Sequence, residues 1–331
     1  MELLEPVVAP VFANASQGES PKDWLHQRDY AYYDLVFYIR LLEAKGYEFQ
    51  HLFEKLMLKR YPHDFMACRP WGREGDKKND GYLRSQGILF QVYAPLDINK
   101  PNSILNAIEK INKDFYGAKQ HWQAFIGWIF VHNSSGERLP PAIHEAILKL
   151  ENDNPEIKIE TWGYEVLRRQ LQKLSLKDLE FWFGQPLNRE VMVCLGFEDI
   201  RGVLEHIKSS YVSETSEIKN VSPAKIEANL LTKSVSDFLT MGMQKSHLVA
   251  QFFNQWYDPL YGEKIAGAFK KKYIELRNIK PPLHPDLIYG RIEHWAGGAD
   301  NPDPKHKAAV LAVLAYFFDK CEIFEDAQEE R

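Results

Sequence analysis

The segment from Gly75 to Ala94, GDKKNDGYLRSQGILFQVYA, confines what this chain can fold into more than any other. An acidic turn bounded by glycines leads into strand-like runs at 80–84 and 87–94, joined as a hairpin through Arg84-Ser85-Gln86-Gly87. Side chains alternate along a strand with period two, so Gln91 and Tyr93 share one face. An amide inside an apolar run calls for a hydrogen-bond partner. Asp80 reads either as the turn aspartate that often precedes glycine in hairpins or as a site residue at the mouth of the hairpin. A tyrosine at a strand end is first of all a packing residue.

The pattern around this segment alternates between helix and strand. A helix beginning near Trp24 or Asp29 runs to Leu42, Gly46 interrupts it, and Phe49, Leu52, Phe53, Leu56 and Met57 continue with helical spacing. Tyr61-Pro62 ends that second helix, because proline disfavours helix in the residue before it. A further strand-like run lies at 64–70. Pro101 opens a helix, Trp122–His132 is apolar on both faces as a central strand should be, Pro141 opens another helix, and 157–162 returns to strand. His132 and Asn133, at the end of the central strand, suit a capping or loop role. Such alternation predicts an α/β domain.

Past Gly184 the strand signals fade and helical spacing takes over, with a polar Ser/Thr-rich stretch at 212–223. The expected organisation is an arm at 1–22, an α/β domain at 23–184, a connecting helix and linker at 185–222, and an all-α domain at 223–331. The last contains no catalytic constellation. Its aromatics, among them Trp256, Tyr257, Phe269, Tyr273, Phe317 and Phe324, are expected to expose a shared contact patch for assembly.

The 331 residues are 45% apolar and 26% charged, the balance of a globular protein with a core of its own. Cys68, Cys194 and Cys321 lie far apart and show no CxxC spacing, which suits neither a disulfide framework nor a zinc site and points to a reducing cytoplasm. The start of the chain lacks the pattern of a signal peptide, and no apolar stretch approaches the ~20 residues of a membrane span. There is no Walker motif, so any ATP hydrolysis belongs to another chain. Net charge is -5, yet between Lys55 and Arg84 the balance reverses. Lys55, Lys59, Arg73, Lys77 and Lys78 in that run are candidates for tracking a nucleic-acid backbone, since binding follows the local patch.

The order of a helix opening GYEFQ at Gly46, a GDKKNDG turn and an FQVY strand resembles the Mrr-type branch of the PD-(D/E)xK nucleases. The wording GDKKNDGYL…FQVYAP, together with FFDKCEIFE at 317–325, is similar to nuclease-like proteins of bacterial ABC-three-component, Lamassu-type antiphage systems. The resemblance implies a restriction-endonuclease-like α/β domain, a mixed central sheet flanked by helices, followed by the all-α domain. It implies Mg²⁺-dependent hydrolysis of DNA, with Asp80 and Gln91 as metal ligands and catalytic residues. Glu54 or Glu48 would complete the shell, and Lys78 would stand in for the motif lysine. It implies an SMC- or Rad50-like ATPase and a small third component as partners in a hetero-oligomer, with no membrane. Three positions depart from the family pattern: Gln50 and Gln91 stand where carboxylates are usual, and Tyr93 replaces the lysine. A second reading follows from these departures, a catalytically degenerate domain that binds DNA or a partner as a scaffold.

Overall fold

A computed structural model of the chain describes residues 24–68, 79–98, 100–122, 125–134, 139–187, 189–209, 225–297, 303–320 and 323–324. The strands are β1 (Phe65–Ala67), β2 (Gly81–Leu83), β3 (Ile88–Tyr93), β4 (Gly127–His132) and β5 (Lys158–Trp162). They form one mixed sheet in sequential order, with β1, β2 and β3 antiparallel and β3, β4 and β5 parallel. Helices α1 (Trp24–Glu43) and α2 (Tyr47–Arg60) precede the sheet. The two parallel pairings need crossovers, which α3 (Pro101–His121) and α4 (Pro141–Asp153) supply, and α5 (Tyr164–Leu171) follows β5. The hairpin expected at 84–87 is wider than a tight turn, because Arg84–Gln86 forms one 3-10 turn before β3 starts.

Compact packing divides the chain into two units, one containing Arg40–Ser175 and the other Arg28–Ile39 with Leu176–Arg331. The middle of α1 therefore belongs to the helical unit and its end to the α/β unit. The change falls at Ser175, earlier than the Gly184 expected from the sequence. The reason is α6 (Leu176–Phe183), whose Trp182 and Phe183 rings pack on Phe37 and Tyr33 of α1 at centroid distances of 6.3 and 5.9 Å.

In the α/β unit the strand alternation sorts the core into two layers. Leu89 joins Trp128, Phe130, Ile111, Phe115 and Ile143 beneath α3 and α4, with Tyr82 and Tyr93 packed against the same cluster. On the other side Phe90 meets Phe53 of α2, Phe65 and Trp162 at 5.4, 5.9 and 5.4 Å. Gly81 belongs to this second layer, where a Cβ would come within 2.4 Å of the Phe65 ring, so the Asp80-Gly81 step is fixed by packing as much as by turn geometry.

In the helical unit the remaining elements are α7 (Arg189–Val193), α8 (Phe197–Ser209), α9 (Lys225–Ala228), α10 (Lys233–Met243), α11 (Ser246–Gln255), α12 (Tyr261–Arg277), α13 (Pro285–Trp295) and α14 (Pro304–Lys320). Ala308–Phe318 of α14 is buried on every side, as an all-round apolar helix must be, and it packs against α8, α10 and α11. At Gly242 of α10 a Cβ would come within 2.6 Å of the Leu311 carbonyl, so glycine lets these two helices cross closely. The aromatics expected to form an exposed patch are mostly core: Phe269, Tyr273, Phe317 and Phe324 are buried, Trp256 is half-buried, and Tyr257 alone of the six is exposed. Tight helix packing needs these large rings for its interior. Among the described residues no helix is long and apolar enough to cross a membrane.

Candidate functional site

Asp80 is the residue before β2, and its backbone N–H extends the ladder by donating to Phe90 O at 2.8 Å. Since Gly81 pairs with Phe90, Asp80 falls opposite Gln91, and alternation from Tyr82 and Leu89 turns both side chains toward the α3 layer. There they meet. Asp80 Oδ2 accepts from Gln91 Nε2 at 2.7 Å and from the Val92 N–H at 2.6 Å. Both residues are buried, at 7% and 1% exposure. A carboxylate can only accept, so the amide nitrogen must face Asp80. Gln91 Oε1 is left buried with no hydrogen-bond partner among the described residues.

Two more polar groups lie along the same end of the sheet. Tyr93 donates its hydroxyl to Ser103 O of α3 at 3.2 Å. Burial raises its phenol above the usual range, with the positive charge of Lys110 opposing. Lys110 Nζ is itself 2.6 Å from Asp114 on the same helix. His132, the register partner of Tyr93 on β4, is buried, and desolvation together with His144 pushes its imidazole down to about 4. It is therefore neutral at neutral pH, and its Nδ1 accepts from the Ser134 N–H at 3.3 Å. Asn133 Nδ2 donates to Ala44 O at 2.6 Å, and the Gly46 N–H donates to Ala94 O at 2.8 Å. These two bonds tie the α1–α2 turn to the ends of β3 and β4, the structural role expected of Asn133.

The other expected site residues are not gathered here. α2 packs on the Phe90 face of the sheet, the opposite layer from Gln91, and Glu54 points to partners on its own helix. Its Oε1 accepts from Gln50 Nε2 at 3.0 Å and its Oε2 lies 3.7 Å from His51 Nδ1. Glu48 is exposed in the first turn of α2. Lys55 is exposed and Lys59 half-buried on that helix. Lys78, Lys77 and Arg73 lie outside the described residues. Among the described residues no three His, Cys, Asp or Glu side chains are grouped to hold a metal ion. The helix acid misleads from sequence alone because the order of helix, turn and strand does not say which face of the sheet the helix covers. Lys110 and Asp114 escape a reading of the sequence for a related reason: only the crossover of α3 brings them to this layer.

Residues 198–325 match the family model described as C-terminal domain 10 of the ABC-three component (ABC-3C) systems. No curated protein and no solved structure matches the chain. The family match thus covers most of the helical unit, leaves the sheet outside it, and makes the C-terminal helices similar to a domain of ABC-3C systems.

Proposed function

We propose that the chain is the DNA-targeting, nuclease-like subunit of an ABC-3C antiphage complex, silent alone and competent to hydrolyse phosphodiesters only when assembled with an SMC- or Rad50-like ATPase and a small third component. The observation that carries this reading is the meeting of Asp80 and Gln91 at one end of the sheet, with a buried amide oxygen that has no partner among the described residues beside the carboxylate. A Mg²⁺ ion takes one or two carboxylates from a protein and completes its shell with water and phosphate. Asp80 supplies one, and Gln91 Oε1 adds a weaker, uncharged oxygen, so the donor set is small but fits. When bound, the ion would polarise a phosphate and lower the pKa of a water.

The residues of the chain set limits on that chemistry. Gln91 holds Asp80 Oδ2 through its amide nitrogen, and Val92 holds the same oxygen through its N–H. The carboxylate is therefore oriented but already engaged, and binding an ion has to compete with two hydrogen bonds. Neutral His132 adds no charge to the site, and the Tyr93 hydroxyl is spent on Ser103 O. A site built this way is weak until something alters the end of β3, which suits an effector that must stay quiet until triggered.

The same engaged carboxylate favours a second reading, a scaffold that binds DNA or its partner without cutting. Plasmid cleavage with and without Mg²⁺, by the chain alone and by the assembled complex, separates the two. Cleavage by the complex supports the first; intact assembly on DNA with no cleavage supports the second.

A further inference from the structure

We propose that Arg40, Lys55, Lys59, Arg60, Arg169 and Lys173 form one ridge that grips the phosphate backbone of DNA, on the side of the sheet opposite Asp80 and Gln91. The inference rests on the reading of DNA as the ligand and extends it: the ridge is an anchor that holds a stretch of duplex apart from the segment that reaches the Asp80–Gln91 end of the sheet.

Three separate stretches of sequence meet in the ridge. Arg40 closes α1, Lys55, Lys59 and Arg60 occupy the last two turns of α2, and Arg169 lies on α5 with Lys173 just beyond it. α5 packs against α2 and β5. α2 is fixed to the Phe90 layer by Phe53, and β5 is fixed to it by Trp162. Arg40, Lys55, Arg169 and Lys173 are exposed, while Lys59 and Arg60 are half-buried. The Arg60 guanidinium lies 4.7 Å from the Tyr61 ring centroid, which limits where its charge can go.

The cations are close enough to feel one another. Burial lowers the Lys55 ammonium below its ordinary value, and Arg40 and Lys59 lower it further. Burial lowers Lys173 likewise, with Arg60 and Arg169 adding to the effect. Lys55 and Lys59 repeat at the four-residue spacing that puts both on one face of α2. A chain of net charge -5 that gathers six cations on neighbouring elements has a surface complementary to a polyanion, and a phosphate backbone is the ligand that rewards a row of cations without requiring a shaped pocket. An acidic protein surface is the competing occupant.

The test is binding of a short DNA duplex to the full-length chain as a function of salt. Removing one cation that neutralises a phosphate should reduce the slope of log K against log salt by about one. Lys55→Gln with Lys59→Gln should flatten it by about two, and adding Arg169→Gln with Lys173→Gln by about four in all. Lys270→Gln with Lys271→Gln, a pair of equal charge on α12, should leave the slope unchanged, and thermal melts confirm that every variant is folded. A wild-type slope in the four-fold variant overturns the ridge while leaving DNA as the ligand. Absence of duplex binding by the wild-type chain overturns both. Unchanged DNA binding with failed co-assembly of the partner proteins assigns the ridge to a protein and overturns the proposal.

Discussion

Gln91 in β3 and Lys307 in α14 are polar side chains buried in otherwise apolar elements, and they are accommodated in opposite ways. Lys307 is 5% exposed, donates to Tyr32 OH at 2.9 Å, lies 5.5 Å from the Tyr32 ring centroid, and acts on the Glu293 carboxyl. Gln91 satisfies its nitrogen on Asp80 but, among the described residues, leaves its oxygen without a partner. An unsatisfied buried polar atom costs about 1–3 kcal/mol, and a fold free to choose would place leucine there. A satisfied polar group in a core fixes packing; under the proposed function, the open oxygen beside Asp80 is where a ligand from outside would complete the site.

The largest effect expected is in the helical unit. Lys307→Ala removes a hydrogen bond to Tyr32 and a cation near Glu293, and should destabilise that unit by about 2–3 kcal/mol, read by chemical denaturation. A loss under about 0.5 kcal/mol would show that Lys307 is as dispensable as a surface lysine and would remove one side of the comparison. Asp80→Ala comes next. It leaves the buried Val92 N–H without its acceptor, so stability measured the same way should fall by about 1–3 kcal/mol. Asp80 is thus a structural residue as well as a site candidate, which a turn aspartate would not be.

Glu293 sharpens the comparison through pH. Burial pushes its carboxyl up to about 7, from an ordinary value of 4.5, against the pull of Lys307 and His294. The folded state then holds the proton more tightly than the unfolded state. Stability associated with this group is full below pH 4.5 and falls as pH rises toward about 7. Melting temperatures of Glu293→Gln should decline less across that window than those of the wild type. An identical profile would mean that Glu293 does not titrate there. The smallest effect belongs to Gln91→Leu. It loses a hydrogen bond to Asp80 but removes the open oxygen, so stability should change by less than about 1 kcal/mol, while any metal-dependent activity of the complex disappears. A large destabilisation would mark Gln91 as structural, like Lys307.

Much of this arrangement is legible in the sequence, for local reasons. Period-two spacing locates β3 and puts Gln91 and Tyr93 on one face, Tyr61-Pro62 ends α2, and Pro101 and Pro141 open the crossover helices. What stays hidden is tertiary. Nothing in the spacing of Gln50 and Glu54 shows that α2 covers the far face of the sheet. Nothing links Arg60 to Lys173, because the strands between them have to fold first. The aromatics from Trp256 to Phe324 are equally suited to a core and to a contact surface, and helix packing selects the core.

The most direct test of the account is Mg²⁺-dependent cleavage by the assembled complex carrying either wild-type Asp80 or Asp80→Asn, a substitution that keeps a hydrogen-bond acceptor beside Val92 while removing the charge. The account predicts cleavage by the wild-type complex, none by the isolated chain, and none by the Asp80→Asn complex with assembly and DNA binding intact. Equal cleavage by the Asp80→Asn complex, or a wild-type complex that assembles on DNA and never cuts, would contradict it.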